Sequence, residues 1–116
     1  MQIGMYVAVS NLKSSKVFYS ALFDTAPYVE NKNFVGFKVG DGKFGLMRAD
    51  AYSYPMTRGN NVVPNISVEN IEQAYARVKA IGPLKIQENI SEVGPMRLFM
   101  FMDPDGNVLE FSSVAK

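Results

Sequence analysis

The stretch MFMDPDGNVLEF, residues 100–111, decides how this chain is read. Pro104 suits the second position of a type I turn and Gly106 the left-handed position after it, so Asp103 is expected to face Asn107 across a three-residue loop. Two hydrophobic strands then leave the turn with Met102 opposite Val108 and Met100 opposite Glu110. Side chains alternate along a strand. Met96, Leu98, Met100, Met102, Val108, Glu110 and Ser112 therefore share one face, and Phe99, Phe101, Leu109 and Phe111 the other. The aromatic face is expected to meet a helix. The opposite face carries a carboxylate, and an ionised Glu in a half-buried strand needs a partner, a metal or a ligand.

Working outward from this hairpin, the same element order occurs twice. IGMYVAV (3–9) reads as a strand, and Leu12, Ser15, Phe18, Tyr19 and Leu22 then fall at helical spacing with Ser10 or Asn11 as cap. Strand-like runs APYVEN, FVGFKVG and KFGLMRA follow. Residues 50–60 show neither periodicity and read as a linker. NVVPNISV is then a strand, and Asn70 caps a helix carrying Ile71, Ala74, Tyr75, Val78 and Ile81, stopped by Gly82-Pro83. LKIQENI, PMRLFMFM and VLEFSSV complete the second set. Shifted by 59, VAVSNL (7–12) lies over ISVENI (66–71), and shifted by 64, Asp41-Gly42 lies over Asp105-Gly106. The pattern is a duplicated βαβββ module within a single α+β domain, with modules at about 1–50 and 60–116. Neither half is large enough to bury its own sheet face, so the halves are expected to pack together.

Composition narrows the function. The 116 residues carry a net charge of +1, with seven Lys/Arg and four Asp/Glu in residues 1–58 and five and seven in 59–116. Neither half has a nucleic-acid footprint. The chain has no cysteine, which excludes disulfides and thiolate metal sites, and no histidine, the commonest general base and transition-metal ligand. No leader and no long apolar run is evident, so the expected location is the cytoplasm, away from membranes.

Three stretches, VAVSNLKSSKVFYSALF, ISVENIEQAYARVKAIG and above all GPMRLFMFMDPDGNVLEF, resemble the vicinal oxygen chelate superfamily of glyoxalases, bleomycin-resistance proteins and extradiol dioxygenases. The resemblance covers essentially the whole chain. It implies paired βαβββ modules whose sheets form an incompletely closed barrel around a cavity with helices outside, and a homodimer. It also implies where metal-dependent members hold their ion: on the first and last strand of each module. Carried over, those positions are Gly4, Val63, Leu46 and Glu110. Glu110 alone can ligate, and one carboxylate is short of the about three protein ligands of an open catalytic site. The resemblance thus points to a member without a metal or other cofactor.

Applying the same turn logic to Gly40-Asp41-Gly42 groups Phe34, Gly36, Lys38, Phe44, Leu46 and Arg48 on the cavity face, with Val35, Phe37, Val39 and Met47 in the core. Tyr6, Ala8, Asn65 and Ser67 face inward by parity with Gly4 and Val63. The expected ligand-binding set is Tyr6, Phe34, Lys38, Phe44, Leu46, Arg48, Val63, Asn65, Met96, Met100, Met102 and Glu110, an apolar wall with a few orienting polar groups. Glu110 either orients a ligand's amine or hydroxyl or pairs with Arg48 or Lys38. The inward methionines are either a ligand wall or core filling. Tyr52 and Tyr54 either close over a bound ring or pack on the dimer partner, and Arg97 is expected in a salt bridge on the helix side.

Several motif matches fail on context. Gly40 to Gly45 satisfies G-x-G-x-x-G but no helix follows. Asp103, Asp105 and Asn107 begin like a calcium loop that Val108 and Val114 break. No Ser has a His to activate it. The expected activity is reversible binding of a small apolar or aromatic molecule in a dimer-interface cavity. The alternatives are a lyase, isomerase or dioxygenase with Glu110 as catalytic base or as the sole retained metal ligand alongside Asn65 or Tyr6, and an interaction module without a ligand.

Overall fold

The computed structural model describes residues 1–53 and 55–114. It is α+β, with two helices and two sheets divided between two compact units, Met1–Arg58 and Gly59–Lys116. The first unit runs β1 (Gly4–Val9), α1 (Leu12–Phe23), β2 (Val29–Glu30), β3 (Phe34–Val39) and β4 (Gly42–Arg48), with sheet order β1-β4-β3-β2. The second runs β5 (Asn65–Ser67), α2 (Ile71–Ile81), β6 (Lys85–Ile86), β7 (Ser91–Val93), β8 (Met96–Met102) and β9 (Val108–Val114), ordered β5-β9-β8-β6 with β7 also on β8. In each unit the first strand lies parallel to the last, and neither sheet closes on itself. No helix among the described residues is long and apolar enough to cross a membrane.

Both helices begin where the caps predict. Asn11 Oδ1 accepts from the Ser14 amide and Asn70 Oδ1 from the Gln73 amide, each at 3.0 Å, satisfying amides that have no partner inside the helix. Helix α2 ends at Gly82, whose φ of 84° is a left-handed conformation that costs glycine nothing. Each helix covers one face of its own sheet. Phe18, Tyr19 and Leu22 are buried on the α1 side of the first unit with Val9, Val35, Phe37, Phe44 and Leu46, and Tyr19 stacks on Phe44 at 5.2 Å between centroids. Ile71, Ala74 and Val78 cover Phe99, Phe101, Leu109 and Phe111, and Tyr75 meets Phe99 edge-on at 5.0 Å.

Three expectations need correction. The run 84–90 is not one strand: β6 stops at Ile86 and pairing with β8 resumes at Ser91. Between them one backbone bond to β8 persists, from the Gln87 amide to the Met100 carbonyl, and local bonds replace the rest of the ladder. The Tyr75 hydroxyl reaches the carbonyls of Gln87 and Glu88 at 2.7 and 2.8 Å, and Gln87 Nε2 donates to the Asn89 carbonyl and Ser91 Oγ. The strand expected over 61–68 shrinks to Asn65–Ser67, because Pro64 has no N–H to add to the ladder; Val63 lies outside it.

The third correction concerns register. Val39 pairs with Gly42, so the first hairpin has a two-residue loop, with Gly40 at a φ of 57° as in a type II′ turn. The three-residue loop expected there displaces β4 by one residue, and a one-residue slip exchanges the two faces of a strand. Phe44 and Leu46 are therefore buried under α1, not on the cavity face; Arg48, expected on that face, shares their parity, and Met47, expected in the core, does not. Lys43, Gly45 and Met47 share the open face with Phe34, Gly36 and Lys38.

Candidate functional site

The DPDGN turn is a staple that sets the geometry of the second unit. Asp103 is fully buried, and its carboxylate is satisfied locally: Oδ1 accepts from the Asp105 and Asn107 amides at 2.9 Å each, and Oδ2 from Asn107 Nδ2 at 3.0 Å. Asn107 Oδ1 in turn accepts from the Gly59 amide at 3.1 Å. These bonds offset the burial of the charge and leave Asp103 no freedom to act as base or ligand. They also fix the pairing Met102↔Val108 and Met100↔Glu110, as the sequence predicts.

Two strands further in, this register assembles a polar group on an otherwise apolar face. Asn65 lies opposite Glu110 across the parallel β5–β9 pair. Its Nδ2 donates to Glu110 Oε1 at 2.6 Å and to Ser112 Oγ at 3.0 Å, while Ser112 Oγ lies 3.3 Å from Asn65 Oδ1. Ser112 is fully buried, so it holds the amide from below and turns Nδ2 toward the carboxylate. Among the described residues no cation pairs with Glu110 and its second oxygen has no partner. Met96, Leu98, Met100, Met102 and Val108 share its face of the sheet, with Met100 opposite Glu110 and Leu98 opposite Ser112.

Beside it, Lys85, Ile86, Gln87, Met100, Met102 and Val108 line a groove of about 450 Å³, a volume suited to a small molecule. Gln87 shapes its wall: its amide donates to the Met100 carbonyl at 2.9 Å and its side-chain oxygen accepts from the Met100 amide at 3.1 Å. Both polar groups of the Met100 backbone are thereby satisfied, and the methionine side chain is left 40% exposed at the groove.

The predicted set divides accordingly. Asn65, Met96, Met100, Met102 and Glu110 share one face of the second unit, and Val63 lies just before β5. Tyr6 and Phe34 meet on the open face of the first unit, edge to face at 5.5 Å. Lys38 lies over the Tyr28 ring. Arg48 bonds Asp50 at 2.7 Å and the Lys32 carbonyl, and Glu110 is held by Asn65. Arg97 is in the expected salt bridge, with Glu72 on α2 and with Glu92 at 3.6 Å. Tyr52 lies in the linker, partly exposed; Tyr54 lies outside the described residues. Gln87, Tyr28 and Lys43 were not anticipated. Gln87 is set by the break between β6 and β7, which no periodicity signals, and Lys43 by the length of the first turn.

The register also revises the ligand positions inherited by resemblance. Asn65 pairs with Glu110 as Tyr6 pairs with Gly45, so the counterpart of Glu110 is Gly45, not Leu46. Neither can bind a metal. The first unit offers Gly4 and Gly45 and the second Val63 and Glu110, a donor set that does not fit a divalent ion, and the described residues contain no group of three acidic, His or Cys side chains.

The model of the Glyoxalase/Bleomycin resistance protein/Dioxygenase superfamily matches residues 2–111. The chain belongs to this superfamily. Solved structures agree. A glyoxalase/bleomycin resistance protein from Albidiferax ferrireducens T118 is 28% identical with a TM-score of 0.77, over 95% of each chain. A family enzyme from Burkholderia phytofirmans PsJN is 16% identical with a TM-score of 0.82, over 98% of this chain and 99% of its own. The fosfomycin resistance protein FosX of Listeria monocytogenes is 15% identical with a TM-score of 0.80, over 97% and 92%. The latter two share the fold. No curated protein matches significantly.

Proposed function

We propose that this superfamily member binds a small apolar or aromatic molecule reversibly and without a metal, acting in the cytoplasm as a homodimer in the manner of drug-sequestering resistance proteins. The observation that carries the reading is Glu110. Its carboxylate is held by Asn65 through one oxygen, has no cation among the described residues, and stands amid methionines beside an open groove. Such a group orients a ligand that brings an amine or hydroxyl to the second oxygen while its apolar body lies on Met100, Met102 and Val108. Methionine suits this wall because its flexible, polarisable side chain adapts to varied shapes.

The 2.6 Å Asn65 bond supports a second reading, in which the oriented carboxylate is the base of a lyase or isomerase. One experiment separates the two. Chelator-treated protein is screened by calorimetry against aromatic amines, phenols and antibiotics, and hits are repeated with Glu110→Gln. Binding that weakens about tenfold, with no turnover in either protein, is the expected result, a charged hydrogen bond being worth about that much. Turnover lost on substitution moves the protein to the enzyme class. Tight stoichiometric uptake of Mn²⁺, Ni²⁺ or Zn²⁺ by the chelated protein would overturn the metal-free reading.

A further inference from the structure

The chain carries two Asp-Gly pairs, Asp41-Gly42 and Asp105-Gly106, each at the tip of a hairpin. An aspartate before glycine can react with its own backbone: the glycine nitrogen attacks the side-chain carboxyl, and no Cβ on the glycine stands in the way. The two tips differ in what must open before that attack.

The second tip is closed. The Gly106 nitrogen donates to the Asp103 carbonyl at 3.1 Å, and the Asp105 amide donates to Asp103 Oδ1 at 2.9 Å. Asp103 is fully buried and its other carboxylate oxygen accepts from Asn107 Nδ2. Bringing the Gly106 nitrogen onto the Asp105 carboxyl therefore takes apart a buried polar network.

The first tip is open. Gly40, Asp41 and Gly42 are exposed, and among the described residues the Asp41 carboxylate takes part in no hydrogen bond or ion pair. One rung, Val39 with Gly42, ends the ladder here. The rung behind it sets Lys38 against Lys43, and like charges directly opposite weaken a ladder. The Tyr28 ring, 5.4 and 5.6 Å from the two ammonium groups, offsets part of that repulsion by cation–π attraction. With glycine on both sides of Asp41, the tip can open locally while the rest of the sheet stays paired.

We infer that Asp41 is a modification site, at which the folded chain converts aspartate to isoaspartate while Asp105 is spared. The Gly42 nitrogen bonds to Asp41 Cγ, and the carboxyl hydroxyl leaves with the amide proton as water, giving a cyclic imide. Water then adds back. Opening at the main-chain carbonyl leaves the chain running through Cγ, longer by one carbon; opening at Cγ restores aspartate. The tip has room for the longer chain, since a Cβ on Gly40 would meet nothing within 4 Å. This site is independent of the reading of Glu110.

The test holds the full chain for several weeks in weakly acidic buffer, folded and, in parallel, in concentrated urea. Trypsin then separates the two sites into peptides 39–43 and 98–116, and electron-transfer fragmentation identifies isoaspartate in each. In the folded chain isoaspartate should accumulate in 39–43 at least about tenfold faster than in 98–116, the worth of one hydrogen bond that must break. In urea the two rates should converge. Gly42→Ala places a Cβ 3.4 Å from the Val39 carbonyl oxygen, which the fold accepts, and should slow conversion of Asp41 by hindering the nitrogen. Equal rates in the two folded sites, or faster conversion at Asp105, overturn the inference. So does a folded chain in which Asp41 stays intact, or conversion unchanged in Gly42→Ala.

Discussion

The two units carry the same elements, yet their open faces have opposite characters. In the first, Gly36 and Gly45 lie opposite one another at the centre of the sheet, and the rings of Tyr6, Phe34 and Tyr28 fold over them. In the second, the corresponding positions hold Met100 and Glu110, also opposite one another, with Asn65 where the first unit has Tyr6. One face is covered by its own aromatic side chains; the other presents a carboxylate and exposed methionine. Two units with the same element order thus fill the same face of their sheets in different ways. Glycine is the residue that lets the first copy close, since it yields its side-chain space to a neighbouring ring.

The contrast is most strongly tested at the turns. Asp103→Ala removes the buried carboxylate that the Asp105 and Asn107 amides and Asn107 Nδ2 bond, and should destabilise the protein by about 3 kcal/mol in urea unfolding. Asp41→Ala, at the exposed turn of the other hairpin, should change stability by less than about 0.5 kcal/mol. Equal effects would mean that the second hairpin is not stapled as described.

Next in size is Gly45→Glu, which gives the first unit the carboxylate of the second. A Cβ at Gly45 would stand 2.6 Å from both the Phe34 and Tyr6 rings, so the rings must move, at a cost of about 2 kcal/mol. Adding Tyr6→Asn and Phe34→Leu, the residues of the second unit at those places, should recover most of the loss. No recovery would show that the rings are not what excludes a side chain. Asn65→Ala should cost only about 1 kcal/mol, because Glu110 can turn to water, and should weaken ligand binding alongside Glu110→Gln.

The smallest effect is electrostatic. The Arg97 hydrogen bond holds the Glu72 carboxyl below its ordinary value of 4.5. A carboxyl depressed in the folded state contributes stability that is present above its unfolded value and is lost as pH falls through the folded one. Glu72→Gln should therefore lower the melting temperature slightly at neutrality, with the difference from the parent closing as pH falls below about 4.5.

How much could be read from sequence depended on how firmly each turn was specified. Pro104 and Gly106 admit one loop, so the β8–β9 register and the face carrying Met100 and Glu110 were legible, as were helices marked by Asn11, Asn70 and Gly82. Gly40-Asp41-Gly42 suits a loop of two residues or three, and the wrong choice carried Phe44 and Leu46 to the wrong face. The contact between Asn65 and Glu110 was not legible, but their shared face followed from parity with the positions the resemblance supplied. Gln87 did not, because its position results from a tyrosine hydroxyl competing with the strand ladder for backbone carbonyls. Nor did the lysine pair, which exists only in the register the short turn imposes.

The unequal turns have a consequence for how such genes diverge. The second hairpin joins equivalent strands through one more residue than the first, and the surplus is absorbed before Val108 without disturbing the pairing beyond it. A codon gained between Gly40 and Gly42 should therefore be silent in the sheet, whereas one gained anywhere inside β4 would turn half the strand inside out. Insertions and deletions in such duplicated genes should accordingly accumulate at the hairpin tips. An alignment of the two halves that omits the gap there will compare each side chain of the last strand with its neighbour's counterpart.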